Sequence, residues 1–229
     1  MILDRGDAQL HGTATGCGPT VLLLHAGGED RSVWAPIADI LEKHGLRAVA
    51  FDLRGHGDSS GQATMLDAIA DDVTAMIRHQ PTPLVVVGAS LGGLAAVASL
   101  TDTSPDIAGL ILVDVVPQPD SARVRAWLDD RGLRDEHPQL VDNILAHGTE
   151  PPTIAVPVLL VRAGPTSPLT DADEARFRTT TPTLKVAHLP TAGHLIARDT
   201  PTALAHLITD HASYWLHLNR VHPLGTADT

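Results

Sequence analysis

The chain has 229 residues, 43% of them hydrophobic, enough to bury one sizeable core in a single domain spanning 1–229. A formal charge of −11 and only two lysines, Lys43 and Lys185, exclude the clustered cationic surface that phosphate binding requires, so no nucleic-acid partner is expected. Cys17 is the only cysteine, which rules out an internal disulfide; the charged stretch 1–7 and the lack of a long apolar run predict a cytoplasmic protein with no membrane partner.

Residues 2–3 and 8–13 have strand-forming composition with Gly6-Asp7 between them, which predicts an N-terminal hairpin. An alternation of strands and helices follows. The apolar run 21–24 predicts a strand, 34–44 a helix and 48–53 a second strand. After a Gly/Ser loop, Leu66, Ile69, Ala70, Val73, Met76 and Ile77 recur at helical spacing, so a helix over 65–79 has one apolar face to lay on the sheet. Residues 84–87 read as a strand and 94–100 as a helix. The run 107–116 is apolar throughout apart from Asp114, as a parallel strand covered on both faces should be. Between Pro117 and about 153 no buried-strand pattern occurs, only two amphipathic helix candidates, 121–131 and 138–147. Strands over 156–161 and 184–189 and a closing helix over 202–218 complete a doubly wound, mostly parallel α/β sheet, and 222–229 should fray.

The turn that joins the strand at 84–87 to its helix reads Gly88-Ala89-Ser90-Leu91-Gly92-Gly93, the pattern G-x-S-x-G. Small neighbours let strand and helix backbones pass close there, so that the Ser90 Oγ projects from a sharp turn. The Leu91 N–H opens the helix, where partial positive charge can meet a developing oxyanion. A serine hydroxyl is a weak nucleophile at neutral pH and needs a neighbouring base, for which histidine is the natural choice. With 13 histidines, composition selects none. His206, His211 and His217 lack the i, i+4 spacing of a zinc pair and no H-E-x-x-H occurs, so no metal site is expected. Gly55, Gly57 and Gly61 follow a strand at the wrong spacing for a dinucleotide fingerprint and no P-loop is present, so no cofactor is implied.

Three further segments flank the elbow in chain order. They are Leu24-His25-Ala26-Gly27-Gly28, with Trp34 opening the next helix; Asp52-Leu53-Arg54-Gly55-His56-Gly57-Asp58-Ser59; and Ala192-Gly193-His194 after a late strand. Together with Ser90 they resemble the α/β-hydrolase superfamily over residues 13–218. The D-x-R-G-x-G-x-S turn marks its esterase, epoxide-hydrolase and dehalogenase-like branch, and the last two activities need a carboxylate where this chain has Ser90. The resemblance implies Ser90 as nucleophile, His194 as base, and an oxyanion hole from the N–H groups of Leu91 and Gly27, with Ala26 where the family most often has glycine. His25 and His56 match loop-organising positions. It also implies a lid over 117–153, with Trp127, Leu128 and Leu133 facing the substrate; the alternative is a pair of ordinary surface helices.

The family's usual acid lies in the loop after the strand at 156–161, and here Ser167-Pro168 stands where a Ser-Asp pair is expected. Two replacements are open. Asp114 ends a buried apolar strand, where an unpaired carboxylate is costly and so needs a reason, and some branches of the superfamily place their acid there. Asp171 or Asp173 lies closer to the vacant position, but Asp171 also suits the N-cap or first turn of the helix containing Ala175 and Phe177. The expected function is hydrolysis of an ester, thioester or lactone of a small, largely apolar molecule through an acyl-enzyme, with Ser90, His194 and Asp114. The alternatives are a C–C bond hydrolase, whose substrate carboxylate would need a clamp from Arg123, Arg125, Arg131 or Arg134, and a binding protein that keeps the fold without turnover.

Overall fold

The computed structural model describes residues 1–100, 107–132, 137–147 and 154–221. The chain opens with the expected hairpin, β1 (Ile2–Asp4) antiparallel to β2 (Gln9–Thr15), and β2 lies antiparallel to β4 (Arg47–Phe51). From there every pairing is parallel. β3 (Thr20–Leu24) sits between β4 and β5 (Leu84–Ala89), and β6 (Ile107–Val113), β7 (Val158–Arg162) and β8 (Leu184–His188) follow outward. The resulting eight-stranded order is β1-β2-β4-β3-β5-β6-β7-β8.

Alternation along the strands divides the core in two. Leu22, Leu24, Val86, Leu110, Leu112 and Leu160 join the side chains of α2 (Leu66–Arg78) and α3 (Leu91–Ala98) on one face. Val21, Leu23, Val85, Val87, Ile111 and Val161 join those of α1 (Ala35–Lys43) and α8 (Pro201–Val221) on the other. Each such side chain, fully removed from water, contributes about 1.5–3 kcal/mol, which is why the runs without polar interruptions are the central strands. The remaining helices are α4 (Ser121–Asp130), α5 (Pro138–His147), α6 (Asp171–Thr180) and the four-residue α7 (Ile196–Asp199). Among the described residues no helix is long and apolar enough to cross a membrane.

Some boundaries differ from the sequence reading. β6 stops at Val113 rather than running to 116, because Asp114 takes φ 51° and turns the chain off the sheet. β7 starts at Val158, after Pro157, which has no N–H to give a ladder. α3 begins directly after Ser90, one turn earlier than expected. The segment after β4 is a buried polar fastening: the Asp52 carboxylate accepts the N–H groups of Arg31 (2.7 Å) and Asp58 (2.9 Å) and pairs with the Arg31 guanidinium. Arg54 binds Asp72 through Nε (2.8 Å) and Asp7 through Nη1 (2.6 Å). Leu133, Arg134 and the tail 222–229 lie outside the described residues.

Candidate active site

Ser90 sits at φ 46°, ψ −112°, a left-handed backbone that a side chain adopts only when its surroundings impose it. Here the first turn of α3 folds back onto the end of β5: a Cβ at position 88 would stand 2.5 Å from the Gly93 Cα, so only glycine permits the approach. The Ser90 N–H donates to the Val113 carbonyl (3.2 Å), tying the elbow to β6.

That bond also explains how a carboxylate reaches the site. β5 and β6 pair with Ala89 opposite Val113, so the residues that leave the two strand ends, Ser90 and Asp114, are abreast. The Asp114 N–H donates to the Val161 carbonyl (2.8 Å), and the carboxylate is fully buried. His194 comes from farther away, beyond β8. Its loop folds back across the end of β7, where Leu189 N–H donates to the Arg162 carbonyl and Gly164 N–H to the Ala192 carbonyl, both at 2.8 Å. Any Cβ at Gly164 would lie 2.2 Å from the Pro190 carbonyl oxygen, so the crossing needs glycine. The loop delivers the imidazole between the two strand ends. Nδ1 lies 2.7 Å from Asp114 Oδ2 and Nε2 lies 3.1 Å from Ser90 Oγ. A carboxylate can only accept, so Nδ1 carries the proton and Nε2 is left to accept from the serine.

Asp114 has two other donors. Ala163 N–H reaches Oδ1 (2.9 Å) and the Ser167 hydroxyl reaches Oδ2 (2.6 Å). The other acids weighed above are committed elsewhere. Asp171 is an exposed partner of the Arg162 guanidinium (2.8 Å). Asp173 is buried in a capping box with Thr170, the true N-cap of α6, and also accepts the Asp120 N–H (3.1 Å).

Gly27 and Leu91 face each other across the mouth of the elbow, and the space a Cβ at Gly27 would fill reaches Leu91 Cδ2 only at 3.8 Å. His25 organises this loop from below. Its Nδ1 donates to the Ala26 carbonyl (2.8 Å) and its Nε2 accepts the Leu53 N–H (2.9 Å); burial keeps the ring neutral, with its pKa lowered from 6.5 to about 4. Glu29 closes the loop by accepting the Ala26 N–H through Oε2 (3.3 Å). Its other oxygen lies 2.7 Å from Arg198 Nε on α7, an ion pair outside hydrogen-bond alignment. Burial pushes the Glu29 carboxyl above its ordinary value, with Arg198 opposing.

A cavity opens over Ser90, walled by Leu94 and Val115 below and by Trp127, Leu140, Ile144 and Leu169 around it. Trp127 meets His194 edge-on, ring centroids 4.7 Å apart, and is pinned by Nε1–H donation to the Thr166 carbonyl (2.9 Å) and by Arg131 stacked 4.4 Å over its ring. Of the arginines considered as a clamp, the three among the described residues are engaged elsewhere. Arg123 donates to the Pro168 carbonyl, Arg125 pairs with Asp142 and Arg131 with Asp130. Among the described residues no group of three or more metal-ligating side chains converges.

A family model for serine aminopeptidases of the S33 type matches residues 18–128. Protein phosphatase methylesterase 1 of Bos taurus is 37% identical over 108 residues, 43% of this chain and 28% of that protein. The pimeloyl-[acyl-carrier protein] methyl ester esterase of Vibrio vulnificus (strain YJ016) is 34% identical over 110 residues, 48% of this chain and 42% of that one. The matched stretch thus spans less than half the length of these curated relatives. A solved thermophilic esterase from Thermogutta terrifontis aligns with TM-score 0.70 at 23% identity, covering 93% of this chain and 96% of that one. The chain has the α/β-hydrolase fold. A thioesterase domain from the curacin biosynthetic pathway aligns with TM-score 0.70 at 26% identity over 91% of this chain and 97% of that chain. In this chain Ser90, His194, Asp114, Gly27, Leu91 and Trp127 all meet at one cavity. The sequence reading did not find Ser167 as a partner of Asp114, nor Glu29 and Arg198 as the ends of a strut. A loop serine and an isolated ion pair leave no periodic trace.

Proposed function

We propose that this α/β-hydrolase is a serine esterase that cleaves an ester, thioester or lactone of a small, largely apolar substrate. The observation that supports this most directly is the hydrogen-bonded line Ser90–His194–Asp114, at 3.1 and 2.7 Å, beneath an apolar cavity. In this reading Ser90 Oγ attacks the acyl carbon while Nε2 of His194 takes its proton, and Asp114 holds the imidazole in the required tautomer and stabilises the imidazolium. The oxyanion forms against the N–H groups of Leu91 and Gly27. The imidazolium then gives its proton to the leaving alkoxide or thiolate, and water repeats the sequence on the acyl-enzyme. Helices α4 and α5 act as the lid, since both contribute side chains to the cavity wall. The curated relatives are a protein phosphatase methylesterase and a methyl ester esterase, which suits a neutral ester here. A C–C bond hydrolase would need a cation for its substrate carboxylate, and the described lid arginines are engaged outside the cavity. The pure binding reading drew on a vacant acid position, and Asp114 makes the contact that position would have supplied.

A fluorophosphonate tests the proposal, because only an activated serine attacks phosphorus at a useful rate. One equivalent should attach to Ser90, and Ser90→Ala should take none. Label recovered on Ser59, Ser60 or Ser99 would overturn the assignment.

A further inference from the structure

We propose that Ser167 is a positioning residue for the acid, donating its hydroxyl proton to Asp114 so as to fix the carboxylate and share out its charge. The inference rests on the reading of Ser90, His194 and Asp114 given above. Ser167 is 3% exposed, in the loop between β7 and α6, and its Oγ sits between two partners. It accepts the Leu169 N–H (3.0 Å) and lies 2.6 Å from Asp114 Oδ2. A hydroxyl has one proton, and with the Leu169 N–H on the oxygen and a buried carboxylate beside it, that proton has one direction to go. Bonds from a neutral donor to a charged acceptor are short and strong, as this one is.

The oxygen it reaches matters. Oδ2 is also the atom that accepts Nδ1–H of His194 (2.7 Å), whereas Oδ1 is held by the Ala163 N–H. Ser167 and His194 therefore draw on the same negative charge. With Ser167 present, part of that charge is spent on the hydroxyl and the imidazolium is stabilised less. Without it, Asp114 becomes the better partner for a protonated ring, and the pH at which His194 gives up its proton rises. The serine also links the acid to the cavity wall, because Pro168 and Leu169 line the space above Ser90 and the Leu169 N–H is anchored on Ser167.

Among the described residues, the other titratable and charged groups around His194 are Glu29 on the loop after β3, Arg198 and Asp199 on α7, Arg131 stacked on Trp127, and His137, which lines the same cavity. None of them touches Ser167, so a change there reports on Asp114.

The test is the pH dependence of kcat/KM for a neutral aliphatic ester with Ser167→Ala and, as a variant that keeps most of the side-chain shape with a weaker donor, Ser167→Cys. The rising limb should move to higher pH by about half a unit to one unit in Ser167→Ala and by less in Ser167→Cys, while kcat on the plateau falls by less than about tenfold. A purely structural serine would lower activity without moving that limb. Wild-type inflections in whichever variants fold would overturn the proposal. Asp114→Asn separates the two readings: if it is inactive while Ser167→Ala shows no shift, only the role of Ser167 fails, and if it keeps full turnover the assignment of the acid itself fails.

Discussion

Replacing Asp114 by asparagine should nearly abolish turnover while leaving the fold intact, and the structure indicates why an amide cannot substitute. The carboxylate accepts three bonds, from Ala163 N–H at Oδ1 and from Ser167 and His194 at Oδ2. An amide has one accepting end. If its oxygen faces His194, its NH2 meets the Ala163 N–H; if it is flipped, the NH2 faces both Nδ1 and the serine and drives the imidazole into the wrong tautomer. Either way one buried donor loses its acceptor, at about 1–3 kcal/mol of stability, which a domain of this size tolerates. The kinetic loss is larger. The corresponding change in a serine protease lowers kcat by roughly 10⁴-fold, about 5 kcal/mol of transition-state stabilisation, and a comparable drop is expected here. Asp171→Asn is the control, since that side chain is fully exposed and touches only Arg162, so its kcat should stay near wild type. Initial rates on a short aliphatic ester, with circular dichroism to verify folding, decide the matter. An active Asp114→Asn beside an inactive Asp171→Asn would refute the reasoning.

Three further outcomes are expected. Gly164→Ala puts a methyl group against the Pro190 carbonyl and must displace the loop that carries His194, so kcat should fall by about 10²-fold; unchanged kcat in the folded variant would show that the crossing has slack. Trp127→Ala should raise KM for aliphatic esters about tenfold while Ser90 still takes up fluorophosphonate, and loss of labelling instead would mean that the indole supports His194 rather than the substrate. His25 is held neutral by burial, its pKa about 4 against an ordinary 6.5, so the unfolded chain binds the extra proton between those values. The contribution is complete above pH 6.5 and is lost as the pH falls through 4, a change of about 3 kcal/mol; urea midpoints for wild type and His25→Gln should show the shallower dependence in the variant.

The central strands were legible because burial on both faces leaves uninterrupted apolar runs, and Ser90 because a strand, a small-residue turn and a helix must follow one another closely. His194 could be singled out among many histidines by the strand and small-residue turn before it together with its place after Ser90 in the chain order that the resemblance implies. The acid could not be settled from sequence, since which carboxylate approaches the imidazole depends on the Ala89–Val113 register between strands, a relation that no local pattern records. Asp171 and Asp173 had the right address, but helix α6 takes both into its first turn. Four-residue α7 is too short to show a period, and the arginines weighed as a clamp carry no sign of their direction in the sequence.

That short helix gives the site an unusual dependency. Asp199 accepts the Gly193 N–H (2.6 Å) next to His194, and its neighbour Arg198 reaches Glu29 on the loop after β3 that carries Gly27. Two consecutive residues thus tether the two loops of the candidate site that are not built on the sheet, and the Arg198 side chain is 52% exposed. A population of random variants screened for altered activity should therefore yield hits at 198 and 199, positions outside the cavity lining that a survey restricted to the cavity wall would pass over.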